Sequence, residues 1–145
     1  PLLLLVADDA RALAVVHSGW RGTVARIAAA AVDALAGLSA VPATLHAAIF
    51  PGIGPCCFEV GPEVIARFEA EFGARAASWH VPSQRPGHAL LDRGGALAAT
   101  LVDAGVDPSR VSAVPGCTAC GGVLWSHRAS GGGPERHGLF ALLRR

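Results

Sequence analysis

The sequence predicts an α+β domain, a mixed β-sheet with helices packed on it. Two observations carry that expectation. Apolar runs of strand length alternate with stretches whose apolar residues recur every three or four positions. Hydrophobic residues make up 52% of the 145 and charged residues only 16%, a composition that buries a core and does not stay disordered. No repeat or long linker divides the chain, so residues 1–145 read as a single domain.

The first element is a hairpin: Leu2 to Ala7 and Ala12 to His17 are apolar runs separated by Asp8-Asp9-Ala10-Arg11, a turn composition. Thr23 to Leu38 reads as a helix, with Val24, Ile27, Ala28, Ala31, Leu35 and Leu38 at helical spacing and Thr23 as its cap. Leu45 to Phe50 is a strand after the Val41-Pro42 breaker, and Gly52 to Pro55 a rigid loop. Gly61-Pro62 opens a second helix with Val64, Ile65, Phe68 and Phe72 on one face, and Gly73 closes it. Residues 74–89 read as loop. Asp92 caps a third helix carrying Leu97, Leu101 and Val102, which ends at Gly105. Val111 to Val114 is a strand, and Val123 to His127 with Leu139 to Leu143 form a final hairpin across Ser130 to Pro134.

Net charge narrows the partners. With 12 basic side chains, all of them arginine, against 11 acidic ones, the chain has no electrostatic case for nucleic acid or a membrane surface. No apolar run approaches the roughly 18 residues of a spanning helix. The sequence opens at Pro1 inside a strand-like run and holds no Met, so it is expected to be the C-terminal portion of a longer domain, without its N-terminal part.

Four cysteines occur as an adjacent pair, Cys56-Cys57, and as a C-x-x-C, Cys117 to Cys120. Two disulfides and a four-thiolate zinc site are both conceivable. Adjacent cysteines are awkward at two corners of a tetrahedron, however, so reduced thiols are the expected state, with Cys56 and Cys57 as small buried hydrophobes.

Three stretches carry candidate chemistry. His17-Ser18-Gly19-Trp20-Arg21-Gly22-Thr23 lies between a strand end and a helix start, where free amides favour an anion. Gly19 and Gly22 allow close backbone approach, Arg21 supplies a bidentate fork, and His17 is a candidate metal ligand or proton carrier. A tight turn with Trp20 in the core explains the same residues equally well. Pro51 to Gly61 is a Gly/Pro loop with Cys56 and Cys57, without the Lys and spacing of a P-loop. Cys117-Thr118 and Trp125-Ser126-His127-Arg128 form the third. On a strand His127 and Arg128 would point to opposite faces, so one of them at most would reach a shared site. Arg136 and His137 are expected in solvent, and His46, His80 and His88 in structural or surface roles.

In this order the stretches resemble the laccase-domain family, also called YfiH-like or multicopper polyphenol oxidoreductase. Val16 to Gly22 matches its V-H-[A/S]-G-W-R-G segment and Ile53 to Gly61 its I-G-P-C-C-[Y/F]-E-V-G segment. Cys117 and Thr118 match a C-T pair, while Ser126, His127 and Arg128 match an S-[H/Y]-R-R-[D/E] motif. Phe50 stands where the family usually has Gly, and Ala129 and Ser130 where it has Arg and an acid.

The resemblance implies an α/β/α layered fold and a cytoplasmic enzyme, monomeric or homodimeric. The implied activity is phosphorolysis of adenosine, inosine or methylthioadenosine, with adenosine deamination as a further family activity. Its metal site implies zinc on His17 together with an upstream His and Cys, so His17 alone should hold the ion poorly. Catalytic roles are expected for His17 and Arg21, and substrate contacts for Arg21, Gly22, Cys56, Cys57, His127 and Arg128. The rivals are copper-dependent phenol oxidation, peptidoglycan-precursor editing or a Cys-His hydrolase, and an inactive binding domain. The six histidines form no H-x-H pair, which weighs against a multicopper centre.

Overall fold

The computed structural model describes residues 1–143. Four strands, β1 (Leu2–Val6), β2 (Leu13–His17), β3 (His46–Ile49) and β7 (Val111–Ala113), form a mixed sheet in the order β2-β1-β3-β7. β1 is antiparallel to β2 and to β3, while β3 and β7 run parallel. A second, antiparallel sheet has the order β4-β6-β5, from Glu59–Val60, Ala89–Leu91 and His80–Pro82. The expected α+β class is the class observed.

Alternation explains the main sheet. Leu3 and Leu5 of β1 are buried, and so are Ala47 and Ile49 of β3. Helix α2 (Ile27–Ala36) packs into this core through Ala28, Ala31, Val32 and Leu35, and α4 (Arg93–Asp103) through Leu97 and Leu101. A second core joins α3 (Pro62–Phe72) to the small sheet through Phe58, Val60, Val64, Phe68, Trp79 and Leu91. Phe72 meets Trp79 edge-on at 5.1 Å.

Several boundaries differ from expectation for physical reasons. The helix expected over 23–38 is two helices. Helix α1 (Trp20–Val24) starts after Gly19, and Arg26, at φ 54°, breaks the chain before α2. Thr23 is not a cap: it is buried within α1, and its hydroxyl donates to the Gly19 carbonyl at 3.0 Å. Residues 74–89 are not all loop, because Gly73–Trp79 winds as a 3₁₀ helix and β5 follows it. Asp92 does cap α4, accepting from the Gly95 amide at 3.0 Å, and Gly73, at φ 58°, ends α3.

The expected final hairpin does not form. Residues 114–143 contain no helix and no named strand. Their backbone groups are spent on tight turns instead: Ser130 donates to the Ser126 carbonyl and Gly132 to that of His127. The His137 ring bonds the Trp125 carbonyl at 2.8 Å, so a side chain takes the place of a ladder bond. Gly131 and Gly132, at φ 67° and 93°, supply the left-handed turn that bends the stretch back.

Candidate active site

At the end of the main sheet a cavity of about 360 Å³, within the size range of small-molecule sites, lies under the C-terminal stretch. β2 ends at His17, the loop after β3 contributes Gly52 and Ile53, and α4 begins there with Arg93. Thr118, Trp125, Ser126, His127 and Arg128 close it from above, and Glu135, Arg136 and His137 complete the rim. Three arginines and three histidines thus face a single carboxylate.

Arg93 is its most informative residue. The side chain is 8% exposed, donates to the Ile53 carbonyl at 3.2 Å, and leaves its Nε without a partner. Burial, with repulsion from Arg128, brings the guanidinium down to about 10, so it stays charged at neutral pH. Among the described residues no carboxylate pairs with it. Its guanidinium carbon lies 3.8 Å from the centre of the Phe58 ring and that of Arg128 4.7 Å. Arg128 also donates to the Glu59 carbonyl at 2.8 Å. Two cations held this way form a receptor for an anion.

His17 lines the same cavity, and burial, with repulsion from Arg93, lowers its pKa below the ordinary imidazole value. The neutral ring is therefore favoured. His127 and Arg128 both line the cavity, contrary to the strand rule, because residues 127–130 form a turn. Arg136 and His137, expected in solvent, sit on its rim.

Arg21 lies elsewhere. It stacks on Trp20, 4.6 Å from the ring centre, and lines a neighbouring cleft with Cys57, Glu59, Glu63, Arg85 and His88. Arg128 borders both concavities. Gly22 lines neither; a Cβ there would stand 3.5 Å from Ile27 and from the Ser18 hydroxyl, an ordinary contact distance.

The cysteines depart most from expectation. The four Sγ atoms of Cys56, Cys57, Cys117 and Cys120 lie within 4.8 Å of one another. Cys56 is exposed and Cys57 half-buried, so neither is a buried hydrophobe. Burial opposes ionisation of Cys117, but amide donation from Gly54, Cys120 and Ala119 outweighs it and brings the thiol down to about 6. Hydrogen bonding to Cys120 and Cys56 pushes Cys57 up to about 12. Among the described residues this is the one group of three or more metal-ligating side chains, and it can hold a metal ion. His17 is not in it and has no such group around it, so this chain's residues do not complete a zinc site at His17.

Sequence reasoning missed Arg93 because it sits in an unremarkable Asp-Arg-Gly-Gly helix start. The available signal was an arginine at a helix N-terminus, where its charge opposes the dipole and needs another reason to be there.

The fold is that of a solved relative. The crystal structure of Bacillus licheniformis hypothetical protein YfiH superposes with a TM-score of 0.81 over 90% of this chain and 49% of that one, at 28% identity. The chain belongs to the family described as multi-copper polyphenol oxidoreductase laccase, whose model matches residues 1–143. A purine nucleoside phosphorylase of Deinococcus radiodurans is 40% identical over 110 residues, 76% of this chain and 42% of the relative. Adenosine deaminase RL5, from an unknown prokaryotic organism, is 38% identical over 119 residues, 81% of this chain and 45% of the relative. The chain thus spans about half the length, or less, of the proteins it matches. No helix among the described residues is long and apolar enough to cross a membrane.

Proposed function

We propose that the cavity belongs to a purine nucleoside phosphorylase and that Arg93 and Arg128 bind its phosphate. The observation that carries this reading is Arg93, a buried guanidinium with an unpartnered Nε and no paired carboxylate, facing a cavity lined by further cations. Burying a guanidinium without a carboxylate partner is costly, and an anionic ligand in the cavity offsets that cost. The names of the relatives above supply the nucleoside half of the reading.

In phosphorolysis a phosphate oxygen bonds to the ribose C1′ as the bond from C1′ to the purine nitrogen breaks, and its electron pair leaves with the base. Arg93 and Arg128 hold the phosphate and keep its charge beside the developing positive charge on the sugar. Trp125, half of it in solvent, offers a face on which a purine stacks. His127 and the neutral His17 orient ribose hydroxyls and hydrogen-bond the departing base. The family's name implies copper, but a thiolate-only cluster lacks the imidazoles of a copper oxidase centre, and no step here runs through a metal.

The test is to incubate the full-length protein with inosine or adenosine, with and without phosphate, and to separate the products by chromatography. Free base and ribose 1-phosphate formed only with phosphate support the reading. Inosine formed from adenosine without phosphate makes it a deaminase instead.

A further inference from the structure

We propose that Cys56, Cys57, Cys117 and Cys120 form a tetrathiolate zinc site that clips the C-terminal stretch to the loop after β3, independently of the chemistry in the cavity. Four sulfurs around zinc at about 2.3 Å lie about 3.8 Å from one another. Cys56 and Cys120 are already 3.6 Å apart, and all four sulfurs fall within 4.8 Å, so closing the shell needs only small side-chain rotations.

The backbone explains how adjacent cysteines share one site. Gly54 to Phe58 is a helical turn, with the Cys57 and Phe58 amides both donating to the Gly54 carbonyl at 3.0 and 2.9 Å. On a strand the two side chains would point to opposite faces, whereas on a helical turn they diverge by about 100° and reach the same space. Cys117 to Gly121 makes the other half. The Gly121 amide closes onto the Cys117 carbonyl at 2.8 Å, and the Ala119 amide points at the Cys117 sulfur at 3.4 Å. The Gly54 amide reaches the same sulfur from the opposite loop at 3.2 Å. Amide donors of this kind orient a thiolate ligand and spread its charge.

Two glycines are placed as such a site requires. A Cβ on Gly121 would stand 2.5 Å from the Cys117 carbonyl oxygen, a backbone contact that cannot give way. A Cβ on Gly54 would project into the cluster, 3.3 Å from the Cys117 Cβ and 3.5 Å from the Cys56 sulfur. No imidazole or carboxylate belongs to the group; tetrahedral all-thiolate sets hold zinc or an iron–sulfur centre, and a clip with no redox task fits zinc.

The fold also has a use for the clip. Within residues 114–143 only Thr118 and Ser126 are buried, and both are polar. This stretch, which closes the cavity, therefore has almost no hydrophobic anchor. Beyond Val114, whose amide donates to the Ile49 carbonyl at 2.8 Å where the stretch leaves β7, its backbone attachment among the described residues is the bridge of Gly52 to Cys117, with the Thr118 amide on the Gly52 carbonyl at 2.9 Å. Cys117 is one of the two bridge residues, and Cys56, Cys57 and Cys120 follow the bridge closely on its two segments. A metal there supplies the attachment that apolar burial does not.

The test uses the full-length protein, purified under reducing, oxygen-free conditions with zinc supplied. Elemental analysis should find one zinc equivalent that Cys117→Ser/Cys120→Ser loses and His17→Ala keeps. X-ray absorption at the zinc edge of His17→Ala should show four sulfur neighbours. Because the serine variant can fail by misfolding, thiol counting on the wild type gives an independent reading. All four thiols should resist a thiol reagent until a chelator is added, and chelation should open residues 114–143 to protease. Equal zinc in the wild type and the serine variant overturns the proposal. So do four freely reactive thiols in the zinc-supplied protein, or cysteines paired as disulfides despite the reductant.

Discussion

Residues 1–113 and residues 114–143 are held in place by different means. In the first region β1, β3, α2 and α4 bury leucine, isoleucine, valine and alanine in one contiguous core. In the second the buried residues are two hydroxyl side chains, while Val123, Phe140 and Leu142 are 89%, 95% and 84% exposed. The first region is a scaffold whose geometry follows from apolar burial. The second covers the cavity and is held by a backbone bridge, a thiol cluster and the bond from Arg128 to the Glu59 carbonyl. Cavity-lining residues come from both, so the cavity depends on two kinds of bonding at once.

The largest expected effect is in the scaffold. Leu97→Ala empties a fully buried position between the sheet and α4, and should cost about 2–5 kcal/mol in denaturant unfolding. Phe140→Ala is the matched change in the cover and should stay within about 0.5 kcal/mol. A loss at Phe140 equal to that at Leu97 would break the comparison.

Next comes the cavity. Arg93→Met keeps the apolar stem against Phe58 and removes the charge, and should lower phosphorolytic kcat/KM about 100-fold or more while the circular dichroism is unchanged. Arg21→Ala, in the neighbouring cleft, should change it only a few-fold. The reverse ranking would move the phosphate to the start of α1.

Smaller still is the cap of the helix that presents Arg93. Asp92→Ala removes the acceptor of the Gly95 amide and should cost about 1 kcal/mol in thermal unfolding. Asp92→Asn should recover most of it, since the amide oxygen still accepts.

The same division separates what the sequence made legible from what it did not. Apolar runs of strand length bounded by turn residues located β1, β2, β3 and β7, and the spacing of Val64 and Phe68 and of Leu97 and Leu101 located α3 and α4, because a helix buried on one face writes a period into the chain. The break at Arg26 was not legible, since nothing in the Ala-Arg-Ile run announces a left-handed residue. The apolar spacing at Val123 and at Leu139 to Leu143 pointed to a hairpin, but those side chains meet no core and the pattern is not used. His17, His127 and Arg128 were picked out by motif, and the cavity gathers all three. Arg93 and the meeting of the four thiols depend on contacts across 40 to 64 residues, which local patterns do not carry.

The most direct measurement is a calorimetric titration of inorganic phosphate into the full-length wild type and into Arg93→Met. The account predicts binding at one site in the wild type and its loss in the variant, with both proteins folded. Equal phosphate affinity in the two would contradict it.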